Sequence, residues 1–221
     1  MNFKQILSYL VPIKIYETKS EVNKNLEIAW NNGKLVLDSK NTNFSYGNLQ
    51  KVLRFGLKKI GFDKIRHFDT ILVLGVAGGS VIKTLVDEIQ CKGKITGIEI
   101  DAETIRLANH YFGLNAIANL EIIIADAEKF VATTTETYDL IIIDIFQDDI
   151  MPDFLFDSFF LIAIQGIMKK EGVVLFNTIA TNAVAKSRND KFAQMVSSSK
   201  LAVARIPNLE GDNELLIIKR A

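Results

Sequence analysis

From residue 70 onward, short apolar runs alternate with segments whose apolar residues recur every three to four positions. The runs at 71–74, 95–100, 120–125, 138–143 and 173–177 predict five strands. The segments 81–89, 102–112 and 153–168, with a weaker pattern over 191–198, predict the helices between and after them. A run as apolar as Leu140 to Ile143 suits a parallel sheet covered on both faces. Two further strand-like segments, 201–206 and 214–219, are joined by a linker too short for a crossover helix, so they pair antiparallel.

Upstream the pattern changes. Residues 13–18 alternate as a half-exposed strand does, and 26–30 and 34–38 flank Asn31, Asn32 and Gly33, the signature of a hairpin. A helix over residues 46 to 60 places Leu49, Val52, Leu53, Leu57 and Ile60 on one face. The chain thus divides into a small three-stranded β unit, 1–45, and an α/β domain, 46–221. That domain is Rossmann-like: a mostly parallel seven-stranded sheet with an antiparallel C-terminal hairpin.

The clearest candidate chemistry lies where the first strand of this sheet breaks into Gly75, Val76, Ala77, Gly78 and Gly79 before a helix. A strand, a glycine turn and a helix bring backbone N–H groups close to a ligand. Glu99 ends the second strand, 24 residues after Gly75, where a carboxylate can accept hydrogen bonds from a ribose diol. The pair predicts an adenosine-containing cofactor; the plainer alternative is a tight turn alone. The dinucleotide fingerprint fails, because its three glycine positions hold Gly75, Ala77 and Ser80. Small residues at the first, third and fifth places, Gly75, Ala77 and Gly79, suit a methyltransferase-type turn instead. A parallel sheet closed by a terminal hairpin points the same way, to the class I fold that uses S-adenosylmethionine.

Composition narrows the setting. The 221 residues, 48% of them apolar, can bury one sizeable core with a small appended unit. Charges balance at 26 against 26, which gives no electrostatic case for nucleic acid or an anionic membrane. The single Cys91 suits a reducing compartment, so a cytoplasmic location without membrane span or signal peptide is expected. With two His and one Cys no metal site is expected, and His67 and His110 read as structural. Phe154, Phe156, Phe159 and Phe160 predict a buried helix face, with Phe154 and Phe156 also placed to line an acceptor pocket. Lys169 to Gly172 reads as a basic helix end with a glycine stop. No nucleophile-elbow serine or phosphate-loop lysine pattern is present, which argues against hydrolase and triphosphatase chemistry.

Over nearly its full length the chain resembles the spermidine synthase family and its methyltransferase-like relatives. The resemblance rests on Leu35 to Asp38, Phe44 to Tyr46, Leu72 to Val81 and Gly97 to Asp101, then Ala108 to Phe112, Asp126 with Ala127, Tyr138 to Asp144 and Pro152 to Leu155. It implies that Gly75, Ala77, Gly78, Gly79, Glu99, Ile100, Asp126, Ala127 and Asp144 surround S-adenosylmethionine or its decarboxylated form. Asp126 would receive the adenine amino group, although an N-cap role is open, and Asp101 is as readily a helix cap as a cofactor residue. Asp144, Tyr46 and Gln147 would stand at the reacting centre.

The departures matter equally. Gln147 stands where the family carries a second Asp that helps deprotonate the attacking amine, and Gln cannot act as a base. Asp148 and Asp149 are neighbours that could substitute or be solvated loop charges. Gly47 replaces the family's His beside Tyr46, and the loop from Ser39 to Ser45 is shortened. Methyl transfer to a small molecule, an amine among the candidates, is therefore the first reading. Aminopropyl transfer is the alternative, and a non-catalytic cofactor-binding protein is the third. The resemblance also implies a homodimer.

Overall fold

Chain segments that bury both faces of a strand must find helices on either side, and that requirement organises this protein. The computed structural model describes residues 3–38, 43–45, 48–146 and 150–221. The strands are β1 (Ile13–Thr18), β2 (Leu26–Asn31), β3 (Lys34–Asp38), β4 (Asn43–Ser45), β5 (Thr70–Leu74), β6 (Lys94–Glu99), β7 (Leu120–Ile124), β8 (Tyr138–Ile143), β9 (Met168–Ile179), β10 (Leu201–Leu209) and β11 (Asn213–Arg220). The seven-stranded sheet has the order β10-β11-β9-β8-β5-β6-β7, with β11 antiparallel to β9 and β10 antiparallel to β11. The other five strands are mutually parallel. This is the mostly parallel seven-stranded sheet with an antiparallel C-terminal hairpin that the pattern predicts.

Alternation within single strands places the two cores. Ile71 and Val73 of β5 face one cluster, which includes Val52 and Leu57 of helix α2 (Asn48–Ile60). Leu72 and Leu74 face the other, with Phe176, Phe192 and Val196. All four β5 side chains are inaccessible to solvent, as a central parallel strand demands. The remaining helices are α1 (Phe3–Leu7), α3 (Phe62–Arg66), α4 (Ser80–Lys83, continuing as a wider turn over Thr84–Glu88), α5 (Ala102–Phe112), α6 (Ala127–Thr133), α7 (Ser158–Ile167) and α8 (Ala183–Ser198).

Upstream, β1 to β4 form a separate four-stranded antiparallel sheet, one strand more than expected. Asn32 and Gly33 both take positive φ, 48° and 74°, at the two-residue turn between β2 and β3. Leu26, Ile28 and Leu37 of this sheet pack on Leu107 of α5.

Several expectations need correction. The segment 153–168 is not one helix: a short 3-10 turn over Asp153–Phe156 ends at Asp157, whose extended backbone restarts the chain as α7. The Asp157 side chain accepts from the Phe160 N–H at 2.8 Å, which makes it the cap of α7. Phe160 is buried, but Phe159 is 82% exposed and does not belong to the buried face. Lys169 to Gly172 lies within β9 and is no helix end; Lys169 Nζ pairs with Asp139 at 2.8 Å. The weak pattern over 191–198 is the second half of the longer α8.

Candidate functional site

Adjacent parallel strands bring residues of equal register to one level. Leu74 pairs with Ile98 on one side and Ile143 on the other, and Ile143 pairs with Phe176. One step further along stand Gly75, Glu99, Asp144 and Asn177, in a row at the carboxyl edge of the sheet. The order reverses here, because β6 and β7 lie on one side of β5 and β8 on the other. Such a switch point opens a crevice for ligands.

The turn after β5 is built around backbone geometry that side chains resist. Gly75 takes φ +88°, and a Cβ there would stand 2.1 Å from the Asp144 carbonyl oxygen. Only glycine lets these two backbones approach so closely. Its N–H donates to the Ile98 carbonyl at 2.9 Å. Gly79 takes φ +79° at the start of α4, against the side chain of Leu114. Ala77 sits at φ +48° despite its side chain, a local strain of about 1 kcal/mol. Gly78 is buried between them.

Glu99 fastens this turn. Its Oε2 accepts from the N–H groups of Val76 at 3.2 Å and Ala77 at 3.0 Å, and its Oε1 accepts from Asp101 N–H at 3.1 Å. Burial pushes its carboxyl above the usual range, while the hydrogen bonds from Ala77 and Asp101 pull it back. Oε2 already accepts from two N–H groups, so the carboxylate's remaining capacity to accept from a hydroxyl lies on Oε1. Glu99 is therefore both the brace of the turn and a potential ligand group.

Asp101, 3% exposed, is fully committed elsewhere. Its Oδ1 caps α5 by accepting from Glu103 N–H, and its Oδ2 accepts from Ser20, Asn23 and Thr104. Although burial works in the opposite direction, those donors hold its carboxyl below the usual range. Asp126 caps α6 through Lys129 N–H at 3.1 Å, so the capping alternative describes one of its oxygens. Its other oxygen makes no hydrogen bond to the described residues. Ala127 follows at the start of α6, and Ile100, beside Glu99, leaves 48% of its surface exposed.

Asp144 stands on the other side of the turn. Its backbone N–H donates to Leu74 at 2.9 Å, and its Oδ1 accepts from Asn177 Nδ2 at 2.9 Å. Burial pushes the carboxyl up to about 6, with the Asn177 hydrogen bond resisting. Two strand spacings separate Glu99 from Asp144, about 10 Å between backbones. The arrangement places an acceptor for hydroxyls on one flank of a close-packed turn and a titratable carboxylate on the other. Tyr46 and Gln147 lie outside the described residues, as do Asp148 and Asp149. Asn177 was not singled out from sequence; the signal was a polar residue ending an apolar strand.

Beyond Asn177, Arg188 of α8 donates to the Ile179 carbonyl at 3.2 Å and lies 3.9 Å over the Phe156 ring. Phe156 in turn contacts Phe176 and Phe192, while Phe154 packs edge-on against Phe160. No group of three or more His, Cys, Asp or Glu among the described residues is placed to hold a metal ion.

A family model described as the spermine/spermidine synthase domain matches residues 56–219. A polyamine aminopropyltransferase of Vibrio vulnificus is 27% identical over 117 residues, 52% of this chain and 39% of that protein. A mouse eEF1A lysine and N-terminal methyltransferase is 25% identical over 158 residues, 66% of this chain and 22% of that protein. The chain thus spans under two fifths of the length of these curated relatives. A spermidine synthase in complex with the transition-state analogue AdoDATO superposes with a TM-score of 0.70 at 16% identity, over 94% of this chain and 73% of the other. Human methyltransferase-like protein 13, in complex with SAH, gives 0.66 at 22% identity over 80% and 83%. At these identities the superpositions speak for the fold alone.

Proposed function

The chain belongs to the spermine/spermidine synthase domain family, and from that premise we propose that it is a transferase using S-adenosylmethionine or its decarboxylated form. The carrying observation is Glu99, held by Val76, Ala77 and Asp101 at the carboxyl end of β6 while Asp144 flanks the same turn. In this reading Glu99 receives the ribose hydroxyls, and the exposed Ile100 lies against the adenine. Asp126 and Ala127 meet its amino edge, and Gly75, Ala77, Gly78 and Gly79 let the ligand approach the backbone. Asp144 faces the sulfonium end, with Tyr46 and Gln147 beside the acceptor. Attack on a sulfonium carbon needs alignment and a dry electrostatic pocket more than covalent help. The neutral Gln147 favours methyl transfer to a small molecule; aminopropyl transfer is the second reading, supported by the Vibrio relative.

The 1–45 unit and the 46–221 domain are proposed as the two functional parts, in a cytoplasmic homodimer. Exposed Phe3, Ile6 and Leu10 support an interface near the N-terminal sheet. No helix among the described residues is long and apolar enough to cross a membrane.

Calorimetry with S-adenosylmethionine, S-adenosylhomocysteine and NAD tests the cofactor reading; tight NAD binding without adenosyl-ligand binding sinks it. Incubation with both sulfonium cofactors and a panel of amines and hydroxyl compounds, scored by product mass, separates the transfers. Robust spermidine formation from putrescine would overturn the preference for methyl transfer.

A further inference from the structure

We propose that Asn177 is a positioning residue for the transfer: its amide holds the Asp144 carboxylate oriented and charged beside the sulfonium of the bound cofactor. The inference rests on the adenosyl-cofactor reading above and adds a residue to it. Asn177 has no exposed surface, and it stands beside Asp144 because β8 and β9 run in parallel register through Ile143 and Phe176. Its Nδ2 donates to Asp144 Oδ1 at 2.9 Å, which fixes one carboxylate oxygen and leaves Oδ2 without a hydrogen bond to the described residues. The Asp144 backbone cannot shift to compensate, because Leu74 holds its N–H and Gly75 abuts its carbonyl. The Asn177 Oδ1 is buried and has no hydrogen-bond partner among the described residues. A buried carbonyl is seldom left unpaired, and one beside a candidate reacting centre fits a pocket completed by a donor from a bound molecule.

The electrostatics follow from the same contact. Among the described residues, burial and Asn177 are the only influences that displace the Asp144 titration. A hydrogen bond to the charged form of a buried acid lowers its pKa, so removing it makes protonation easier. A protonated Asp144 would lose its attraction for a sulfonium.

S-adenosylmethionine carries that positive sulfur and S-adenosylhomocysteine does not, while both share adenine, ribose, amino and carboxyl groups. The ratio of their affinities therefore reads the charge at Asp144. The raised titration of Glu99 acts on ribose in both ligands and cancels in the ratio.

The experiment is calorimetry of both ligands between pH 5 and 8 with the intact chain, N177A and N177Q. In the unmodified protein the preference for S-adenosylmethionine should grow several-fold as pH rises through about 6. In N177A that transition should move up by about one pH unit, the effect of one hydrogen bond to a buried charge. N177Q, which retains an amide donor, should return it toward the original position. If N177A does not fold, the near-isosteric N177L is read in its place. A transition unmoved in the apolar variant, or a ratio flat with pH in the unmodified protein, overturns the role of Asn177. Failure of the unmodified protein to bind either ligand overturns the cofactor reading first, so the two failures are distinguishable.

Discussion

Asp144→Asn should make the protein more stable at neutral pH. The free Asp carboxyl titrates at 3.8, and burial in the fold moves it to about 6. Below pH 3.8 both folded and unfolded chains carry the proton, and the group costs nothing. Between 3.8 and 6 the unfolded chain releases its proton while the folded one keeps it, so stability falls as pH rises. Above 6 the full penalty is present, and a shift of this size corresponds to about 2–3 kcal/mol. Asn has nearly the same shape, and its carbonyl can still accept from Asn177 Nδ2, so the substitution removes the charge without a cavity. At pH 8 the variant should gain that amount, about 5–10 °C in Tm for a chain of this length. At pH 4 the gain should vanish. Asp38 and Glu99 also titrate above their usual range, but they are common to both proteins and cancel in the difference. The assay is urea unfolding of both proteins at pH 4, 6 and 8. A difference independent of pH, or a less stable variant at pH 8, would refute the argument. The same variant should lower turnover of whichever acceptor is used.

Other perturbations follow from the same geometry. Gly75→Ala puts a methyl group against the Asp144 carbonyl and strains φ +88°, so thermal unfolding should show a loss of about 3 kcal/mol or more, or no soluble protein. Glu99→Ala strands the N–H groups of Val76 and Ala77 and should weaken S-adenosylmethionine binding by about 1–3 kcal/mol in calorimetry. Asp101→Ala removes a helix cap and the tie to Ser20 and Asn23, costing about 2–4 kcal/mol. Hydrogen exchange should then rise first in the N-terminal sheet. Light scattering should give a homodimer that Phe3→Asp with Leu10→Asp converts to monomer; a monomer at high concentration contradicts the interface.

The central strands β5, β6 and β8 were legible because each buries both faces along most of its length and so reads as a largely apolar run. Helix α8 was only half legible. Its inward stripe includes Ala185, Asn189 and Ala193, and Asn189 is fully buried because it bonds to Thr178 and Glu214. A polar residue satisfied by tertiary partners looks like a surface residue in sequence. The break at Asp157 failed differently: the apolar residues on either side continue, and only the capping bond to Phe160 shows where the helix begins. Strand β9 begins at Met168, inside a segment whose lysines and glycine suggested a stop.

At the candidate site, Glu99 and Asp144 could be read because a carboxylate ending an apolar strand is conspicuous. Asn177 ends its strand just as they do, but a neutral amide carries no such signal. Its significance depends on the β8–β9 register, which brings it to a carboxylate 33 residues away in sequence. Asp101 shows the reverse case. It lies two residues from Glu99 and could have been a ligand group, yet contacts with residues around 20 commit it to the N-terminal sheet. The two aspartates also differ in what the fold does to their charge. Asp101 is buried among donors that stabilise its ionised form, whereas Asp144 is partly buried with one donor among the described residues and lowers stability by remaining ionised at neutral pH. A fold selected for stability alone would have no use for the second arrangement, and that contrast is the physical argument behind the proposed assignment of Asp144 to chemistry and of Asp101 to architecture.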